Sequence, residues 1–502
     1  MIALTLDQIS AATHGVLHAE THADTATDTA AALAAAGTTA SPGDLLVSGS
    51  VQTDSRLVTP GSIFVAKPGA ETDGHLFAPS AVDQGAALLI VEHLLDLPVP
   101  QIVVTDAVLA LGALASHVVA EVRARGRLKV VGVTGSNGKT TTKNLLREIF
   151  EAVGPTVAPR GSFNNEVGAP MTMLEVNEHT EFLVIEMGAN GLGKIATLVK
   201  LAKPDVGIVL TVGLAHAGEF GGIEATVVAK SEMVTSLTET DVAVLNVDDP
   251  RVAGMAGKTR ARVVWFGQSM AGSGMAGSGT AGSGTAASVR ASDIRASRAG
   301  TTFTLHLSDG AEHPMHLRVL GEHHVMNALA AAAAAESLGV SGSVIVAALE
   351  SVERAERWRM EVLGGRDGVT IINDAYNASP DSMTAALKTL AQISEPGKRT
   401  IAVLGEMAEL GALAGEEHDR IGLLTVRLNI SQQVVVGPAA RRMHISTINE
   451  GSWDSESAYV DTQDEAFALL CTIVKPGDTV LVKSSNSAGL RFLGDRLGEF
   501  FS

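Results

Sequence analysis

The chain is organised around the stretch Val130-Val131-Gly132-Val133-Thr134-Gly135-Ser136-Asn137-Gly138-Lys139-Thr140-Thr141. Its first residues form an apolar run that is typical of a buried strand, and glycines interrupt the segment that follows. Beyond the loop, four apolar residues recur at helical spacing: Leu145, Leu146, Ile149 and Phe150. The pattern predicts a strand, a loop and a helix in that order.

This order of elements suits the binding of a polyphosphate. The backbone N–H groups of the loop and the positive end of the helix dipole converge where the phosphates would sit. Gly135 and Gly138 let the backbone approach without a Cβ in the way. Lys139 would reach the outer phosphates, and the Thr140 hydroxyl would face a magnesium ion that bridges them. Because Val133 replaces the first glycine of the common G-x-x-x-x-G-K-[ST] pattern, a glycine-rich turn with an exposed lysine is the alternative.

Length, charge and cysteine content narrow the class of protein. A chain of 502 residues is too long for one hydrophobic core, and its length predicts about three domains. A formal net charge of −18 argues against a nucleic-acid-binding surface, which needs a basic stripe, and favours a small-molecule partner. The single cysteine, Cys471, excludes an internal disulfide and fits a reducing compartment. Because residues 1–10 show no signal-peptide pattern and no later apolar run looks long enough to span a membrane, we expect a soluble, cytoplasmic protein.

The alternation of apolar segments predicts an α/β protein with three domains. Residues 1–125 form a small α/β module, and residues 126–355 alternate strand with helix, which predicts a mostly parallel sheet with ligands at the carboxyl ends of its strands. Residues 356–502 show a second α/β alternation. Residues 270–288 are a Gly/Ser-rich repeat, predicted to be a flexible surface insertion. Strand candidates lie at 62–66, 86–91, 101–105, 182–185, 206–212, 301–307, 370–372, 400–404, 434–436 and 479–482, and helical patterns lie at 107–123, 140–153 and 328–338.

Polar residues follow the strand candidates of the central region at what would be one edge of its sheet. Glu186 ends an apolar run, and a carboxylate at the tip of a buried strand is a candidate magnesium ligand. His216, near glycines at a strand end, is as readily a loop histidine as a site residue. The polar segment 161–170 is predicted to line the site. Lys230 lies in a helical pattern, where residue type alone favours a solvated lysine on the outer face.

Polar clusters also occur in the first and last regions. Asp54-Ser55-Arg56 and Asp73-Gly74-His75 have the composition of turns, so composition alone favours a loop over a site. In the last region the polar residues lie in the segments 373–383 and 404–407. A nucleotide-binding sheet that faces a second α/β domain predicts a cleft that closes on two substrates.

Together and in this order, the motifs resemble those of the Mur ligase family, and the resemblance covers all three regions. It implies a small N-terminal domain that binds a UDP-sugar, a central domain with a P-loop-type ATP site, and a C-terminal Rossmann-like domain that binds an amine. The implied reaction is ATP-dependent amide ligation through an acyl phosphate. Residues 376–380, Tyr-Asn-Ala-Ser-Pro, favour the member that adds D-alanyl-D-alanine to a UDP-N-acetylmuramoyl-tripeptide in cytoplasmic peptidoglycan synthesis.

The resemblance also implies roles for individual residues. The ATP site would comprise Gly135, Ser136, Asn137, Gly138, Lys139, Thr140, Thr141, Asn165, Asn327, Arg359 and Asp374. Two magnesium ions would be held by Thr140, Glu186, His216 and Lys230, with Lys230 carbamylated, and the catalytic residues would be Lys139, His216 and Lys230. The UDP-sugar would contact Ser55, Arg56, Asp73 and His75, and the dipeptide would contact Tyr376 and Asn377. Departures from the family's motifs occur at His324, Ser379 and residues 484–486.

Other classes of protein share parts of this pattern. A P-loop switch or motor would use the same loop without a second substrate, and the ordered motifs of the last region argue against it. A dinucleotide-dependent oxidoreductase would explain two α/β regions, but no G-x-G-x-x-G follows a strand at the needed place. Within the ligases, the tripeptide synthetase or a polyglutamate synthetase, each adding a single amino acid, is the nearest alternative. We expect a monomer without membrane insertion.

Overall fold

The structure is a computed structural model of the chain, and it describes residues 1–19, 41–69, 72–159, 161–189, 191–213, 222–268, 288–354, 356–450 and 456–502. His216 and residues 270–287 of the predicted insertion lie outside the described residues. The chain divides into two compact units. The first comprises Met1–Gly132, Gly154–Met187 and Ala196–Pro204, and the second comprises Val133–Val153, Gly188–Ile195 and Asp205–Ser502.

A five-stranded sheet organises the N-terminal part of the first unit. Its strands run parallel except for Val16–His18, which pairs antiparallel with its neighbour. Phe64 and Leu89 on central strands are fully buried in a core shared with the helix Ala78–Asp83. The three strands predicted for this part of the chain are confirmed, each two residues shorter than predicted. In sheet order the strands are Val16–His18, Gln101–Val103, Leu88–Val91, Ile63–Val65 and Val51–Gln52; the unit also holds the helix Leu6–Thr13 and the antiparallel strands Leu4–Thr5 and Leu46–Val47.

The helix Ala107–Arg125 is the long apolar helix of the first unit. The Asp106 side chain caps it by accepting hydrogen bonds from the backbone N–H groups of Val108 and Leu109, which satisfies two of its otherwise unpaired donors. Among the described residues it is the one helix long and apolar enough to cross a membrane, although no such segment was expected from the sequence. Half of its most apolar window is buried, as in a core helix. Ser116, on the same helix, donates a hydrogen bond of 2.9 Å to the Leu201 carbonyl oxygen.

The first unit also contains strands of the central region. Thr156–Val157 and Phe182–Glu186 pair in parallel. The predicted strand 182–185 is confirmed and is one residue longer, so Glu186 is its last residue. The strand Lys129–Thr134 begins in the first unit and ends in the second. The short helix Gly168–Met173 begins within the polar segment 161–170.

The central strands of the second unit are parallel where the sequence alternates strand with helix. Four neighbouring strands pair in parallel, and a final hairpin adds two antiparallel strands at the edge. The predicted strand at 206–212 ends earlier, at Val209, so the residues after it belong to a loop. In order these strands are Val206–Val209, Val242–Asn246, Arg262–Gly267, Val289–Ser297, Gly300–His306 and Glu312–Leu317, and the helices of this unit are Lys139–Glu151, Ile223–Thr235, Pro250–Ala253, His323–Ser337 and Gly342–Ser351. The helix Lys194–Ala202 begins in the second unit and ends in the first.

The alanine-rich helix His323–Ser337 begins five residues before the predicted start at Ala328. Its alanines from Ala330 to Ala335 are fully buried, because the helix is covered on all sides by the neighbouring helices and strands. A methyl side chain allows this close packing of backbones, so the helix needs no polar face. The earlier start places His323, His324 and Asn327 in the first turns of the helix instead of in the preceding loop.

A six-stranded sheet organises residues 361–502. All strands run parallel except Glu361–Gly364 at one edge. Successive side chains point to opposite faces, so Ile372 and Leu481 join one hydrophobic core while Ile371 and Val480 join the other. Helices on both faces make this a doubly wound, Rossmann-like sheet, as expected. In order the strands are Glu361–Gly364, Thr370–Asn373, Thr479–Lys483, Thr400–Leu404, Gln432–Val436 and Ser457–Val460, and the helices are Pro380–Gln392, Ala414–Arg427, Arg441–Glu450, Gln463–Ile473 and Leu490–Phe500.

Candidate active site

The glycine-rich loop lies between the strand Lys129–Thr134 and the helix Lys139–Glu151, as predicted. We call residues 135–141 the phosphate loop. Gly138 caps the helix with a left-handed backbone, at φ +84°, and a Cβ at this position would overlap Oδ1 of Asn327. A Cβ at Gly135 would lie 2.9 Å from Cβ of Leu210. Both positions therefore require glycine, and the close approach places Asn327 directly against the loop.

Hydrogen bonds anchor the phosphate loop to the segment that follows the strand Val206–Val209. The Ser136 backbone N–H donates to the Thr211 carbonyl oxygen at 2.8 Å, and the Gly213 backbone N–H donates to Ser136 Oγ at 2.9 Å. Lys139 Nζ donates to the Gly135 carbonyl oxygen at 2.8 Å, so the lysine folds back over its own loop. The helix Lys139–Glu151 has no acidic residue in its first turn. The loop therefore offers a cation and the positive end of a helix dipole, which suit a polyphosphate.

Glu186 is fully buried in the first unit, at the end of its strand. Its Oε1 accepts hydrogen bonds of 2.8 Å from Ser162 Oγ and from Asn164 Nδ2. The polar segment 161–170 is therefore tied to this carboxylate. Asn165, predicted to contact ATP, accepts a 2.8 Å hydrogen bond from the backbone N–H of Gly168, the first residue of the next helix.

Lys230 lies in the helix Ile223–Thr235, and only 3% of its surface is exposed. The solvated, outward-facing lysine that residue type alone favoured is therefore wrong. Its helical neighbours Ala229 and Met233 are fully buried as well, so Lys230 lies on the buried face of the helix. Burial agrees with the metal-site role that the family resemblance implies, while carbamylation stays a prediction.

The described acidic residues, histidines and cysteine form no group of three or more that could hold a metal ion by themselves. Magnesium in nucleotide sites is commonly bound by one or two protein groups together with phosphate oxygens and water. The buried carboxylate of Glu186 and the hydroxyl of Thr140 at the helix start are hard oxygen donors of this kind. Each of these two donors, one in each unit, therefore suits magnesium that arrives with a nucleotide.

A second polar cluster surrounds the start of the helix His323–Ser337. The rings of His323 and His324 lie 4.0 Å apart, and Asn327 Nδ2 lies 3.2 Å from His324 Nδ1. Burial lowers the pKa of His323 to about 4; the negative charge of Asp374 opposes this shift and Lys483 adds to it. Burial also holds the pKa of His324 well below its usual value. Both imidazoles are therefore neutral at pH 7.

Lys483 connects this cluster to the ends of two strands. Its ammonium group, 2% exposed, lies 2.6 Å from Oδ2 of Asp374 and 3.1 Å from the carbonyl oxygen of Asn377. Oδ1 of Asp374 accepts a 3.1 Å hydrogen bond from the Met360 backbone N–H. Asp374, predicted to contact the ribose, is thus already held by its own chain. Sequence reasoning missed Lys483, although a charged residue that ends an apolar strand is the same signal that singled out Glu186.

The predicted amine-binding residues separate in the structure. Asn377 lines a pocket of about 310 Å³, whereas the Tyr376 ring stacks under the Arg359 guanidinium at 4.5 Å. Met407 is buried in the hydrophobic core, and Glu406 borders a different cavity of about 630 Å³. We call the smaller cavity the switch-point pocket, because it lies at the carboxyl ends of the strands where the strand order reverses. It is lined by Asn377, Ala378, Ser379, Ala408, Glu409, Leu410, Ser485, Asn486 and Ser487.

The two polar clusters near the N-terminus form short turns, as their composition predicts. Asp73 caps one turn and lies 2.6 Å from Nδ1 of His75, whose Nε2 accepts a hydrogen bond from the Glu92 backbone N–H at 2.9 Å. His75 is thus a buried structural residue in addition to any contact with a ligand. Arg56 forms an exposed ion pair with Asp54, and Ser55 is buried beneath it.

Family models match most of the chain. The Mur ligase family catalytic domain matches residues 49–120, the Mur ligase middle domain matches residues 133–335, and the Mur ligase glutamate ligase domain matches residues 358–486. Each match falls within one of the three predicted regions.

Individual relatives agree with these matches. The UDP-N-acetylmuramoyl-tripeptide–D-alanyl-D-alanine ligase of Mycobacterium tuberculosis is 42% identical over 486 residues, which cover 90% of this chain and 92% of that protein. The ligase of the same description from Escherichia coli is 33% identical over 88% of this chain and 92% of that protein.

Solved structures show the same three-domain α/β fold, which confirms the predicted fold class. MurF from Acinetobacter baumannii superposes with a TM-score of 0.82 at 31% identity, with 99% of both chains covered. MurF from Thermotoga maritima, solved in complex with ADP, superposes with a TM-score of 0.76 at 27% identity, covering 90% of this chain and 97% of that one. With a relative 42% identical along nine-tenths of its length, the chain belongs to the Mur ligase family.

Proposed function

We propose that this chain uses ATP to join D-alanyl-D-alanine to a UDP-N-acetylmuramoyl-tripeptide, a cytoplasmic step of peptidoglycan synthesis. The observation that carries the proposal is the direct contact between the phosphate loop and the rim of the switch-point pocket, where Ser379 Oγ donates a 3.1 Å hydrogen bond to Asn137 Oδ1. A nucleotide site that touches a second small-molecule pocket fits a ligase better than a simple hydrolase. The relatives that share the sequence along its length are named for these two substrates.

In the first step, a carboxylate oxygen of the tripeptide attacks the γ-phosphorus of ATP, which gives an acyl phosphate and ADP. Repulsion between the carboxylate and the triphosphate opposes this attack. Lys139 and the backbone N–H groups of the phosphate loop reduce the repulsion and hold the phosphate oxygens in line. Bound magnesium, two ions in our proposal, would neutralise further negative charge on the phosphates.

Four residues are proposed to hold these ions: Thr140, Glu186, His216 and Lys230. Ser162 and Asn164 fix the orientation of the Glu186 carboxylate, which reduces the cost of arranging it around a cation. A carbamate on Lys230 would replace a buried cation by an anionic oxygen ligand. That change would make a lysine compatible with a metal site.

In the second step, the amine of the dipeptide attacks the acyl carbon, and phosphate leaves. The switch-point pocket is proposed to hold the dipeptide, with Asn377 in its wall. Its volume of about 310 Å³ is at the lower end of the range for small-ligand pockets, as a dipeptide requires. Enclosure keeps water away from the acyl phosphate, which water would otherwise hydrolyse. Tyr376 is proposed to act at the edge of this region through its stacking with Arg359.

The remaining contacts in the proposal concern the two nucleotides. Asn327, Arg359 and Asp374 surround the adenosine of ATP, and the neutral imidazoles of His323 and His324 lie beside them. The UDP-sugar contacts Ser55, Arg56, Asp73 and His75 in the first unit. The proposal also includes that the enzyme works as a monomer in the cytoplasm, without membrane insertion.

The specificity for the amine substrate is tested with a UDP-N-acetylmuramoyl-tripeptide and a panel of amines. Phosphate release and the mass of the product are measured for each amine. D-alanyl-D-alanine should support ligation, whereas D-alanine, glutamate and a diamino acid should not. A site that hydrogen-bonds its ligand rejects analogues that leave its buried polar groups unpaired. Efficient addition of a single amino acid, with the dipeptide inert, would assign the chain to the single-amino-acid ligases instead.

A further inference from the structure

Ser379 has two distinct hydrogen-bonding roles. Its Oγ accepts a 3.3 Å hydrogen bond from the Ser382 backbone N–H, which caps the helix Pro380–Gln392. The same hydroxyl donates its proton to Oδ1 of Asn137 at 3.1 Å, across 242 residues of sequence. Ser379 is 3% exposed, so water does not compete readily for this contact. One buried hydroxyl thus joins the start of a helix to the phosphate loop.

A second contact links the same helix to Gly213, a residue that is hydrogen-bonded to the phosphate loop. Asp381, in the first turn of the helix, lies so close to Gly213 that a Cβ on Gly213 would overlap its carboxylate. Gly213 is in turn hydrogen-bonded to Ser136 of the phosphate loop through both its N–H and its carbonyl oxygen. The amide nitrogen of Asn137 lies on this side, 3.8 Å from where that Cβ would be. Ser379 therefore binds the oxygen end of the Asn137 amide, and the nitrogen end faces Gly213.

Ser379 is also part of the wall of the switch-point pocket, together with its neighbours Asn377 and Ala378. An amine substrate in this pocket would lie next to the hydroxyl that orients the phosphate loop. One side chain thus lines the pocket and contacts the phosphate loop, and the helix start that carries it also contacts Gly213, which is hydrogen-bonded to the loop.

We infer that Ser379 is a positioning residue for the ligation reaction: its hydroxyl fixes the amide of Asn137, and thereby couples the amine pocket to the phosphate loop. The inference rests on the proposed function. The Asn137 side chain presents its N–H₂ group, a donor suited to a phosphate oxygen, only when its oxygen is held by a donor elsewhere. Ser379 supplies that donor, and it acts through Asn137 without any contact to the reacting atoms.

A capping role alone makes a different prediction from a positioning role. Aspartate is as good a helix cap as serine, because its carboxylate accepts from the same backbone N–H groups. An ionised carboxylate has no proton to donate, however, so Ser379→Asp would attract the N–H₂ end of Asn137 and reverse the amide, which would put its oxygen where the N–H₂ group now lies. Ser379→Thr keeps both the cap and the donor. Ser382→Ala removes the side chain that completes the capping box and leaves the contact with Asn137 in place.

The test measures kcat, KM for ATP and melting temperature for these three variants of the full chain. We expect Ser379→Asp to lower kcat roughly tenfold, the usual effect of losing one oriented hydrogen bond, with KM for ATP within about twofold of the parent value. Ser379→Thr and Ser382→Ala should keep kcat close to that of the parent enzyme. In an Asn137→Ala background, Ser379→Asp should cause no further loss, because the residue acts through the amide that is missing.

Two results would overturn the inference. A Ser379→Asp enzyme with the parent kcat would limit Ser379 to helix capping, and a full additional loss in the Asn137→Ala background would show that Ser379 does not act through Asn137. The proposed function fails in a different way. A parent enzyme that folds and binds ATP but does not ligate the dipeptide would contradict the function itself, and the inference with it.

Discussion

Lys139 is the residue on which the phosphate loop depends most directly. Its ammonium group bonds to the Gly135 and Ser136 carbonyl oxygens of its own loop, and its side chain is only partly buried, so its removal leaves no large cavity in a core. We expect Lys139→Ala to lower turnover by about 100-fold or more while the free energy of unfolding changes by less than about 1 kcal/mol. Steady-state kinetics and urea unfolding measure the two effects. Lys258→Ala, an exposed lysine elsewhere in the unit, is the matched control, and normal turnover in Lys139→Ala would remove the loop from the mechanism.

The proposed carbamylation of Lys230 can be tested by substituting this lysine. If a carbamate oxygen is its contribution, Lys230→Ala should be nearly inactive, and added short carboxylates should recover part of the activity by filling the vacated space. Bicarbonate should help only the parent enzyme. The measurement is phosphate release against carboxylate concentration. Absence of rescue, combined with an unchanged dependence on magnesium, would contradict the metal-site role.

The lowered pKa of His323 allows a prediction of how the free energy of unfolding responds to acid. Because burial lowers its pKa to about 4 in the folded chain, against 6.5 as the ordinary value, the unfolded chain binds a proton first as the pH falls. The free energy of unfolding therefore keeps its full value with respect to this group above pH 6.5. It falls between pH 6.5 and 4, by on the order of 2 kcal/mol for this half-buried group. Urea unfolding at several pH values should therefore show a shallower slope of stability against pH for His323→Gln. Equal slopes for parent and variant would show that His323 is not the group whose protonation lowers the stability.

At the scale of elements, the ion pair between Lys483 and Asp374 joins the carboxyl ends of two adjacent strands, Thr370–Asn373 and Thr479–Lys483. Lys483→Met would leave a largely buried carboxylate without its cation, so we expect a loss of about 3 kcal/mol in the free energy of unfolding. The double variant with Asp374→Asn should lose clearly less than the sum of the two single variants, since the unpaired charge is gone. Urea unfolding of the four proteins measures the coupling, and additive losses would show that the pair does not act as a unit.

The bounds of individual strands and helices show where a local sequence pattern is enough to predict the structure. The strand Thr400–Leu404 has the predicted bounds, because five apolar or β-branched residues end at Gly405. The helix His323–Ser337 was placed five residues late, since Glu322 is helical and offers no side-chain cap to mark the start. Lys230 was misjudged because residue type does not follow burial in its helix: the apolar Val228 is exposed, whereas Lys230 is buried.

At the scale of the whole molecule, the order of motifs predicted three α/β regions and the family, while the contacts between distant segments could not be predicted. The phosphate loop was predicted because its strand, glycines and lysine are adjacent in sequence. The contact from Ser379 to Asn137 crosses 242 residues, and that from Lys483 to Asp374 crosses 109. Such pairs depend on how sheets and helices pack, which no local pattern encodes.

The central claim is ATP-dependent ligation of a dipeptide through an acyl phosphate, and oxygen transfer tests it most directly. The UDP-N-acetylmuramoyl-tripeptide is labelled with ¹⁸O in both oxygens of the carboxylate that reacts, and the enzyme is supplied with ATP and D-alanyl-D-alanine. Mass spectrometry then follows the label in the product and in the released phosphate. The mechanism predicts one ¹⁸O in the new amide and one in the phosphate. Product whose phosphate carries no ¹⁸O, or phosphate release without ligated product, would contradict it.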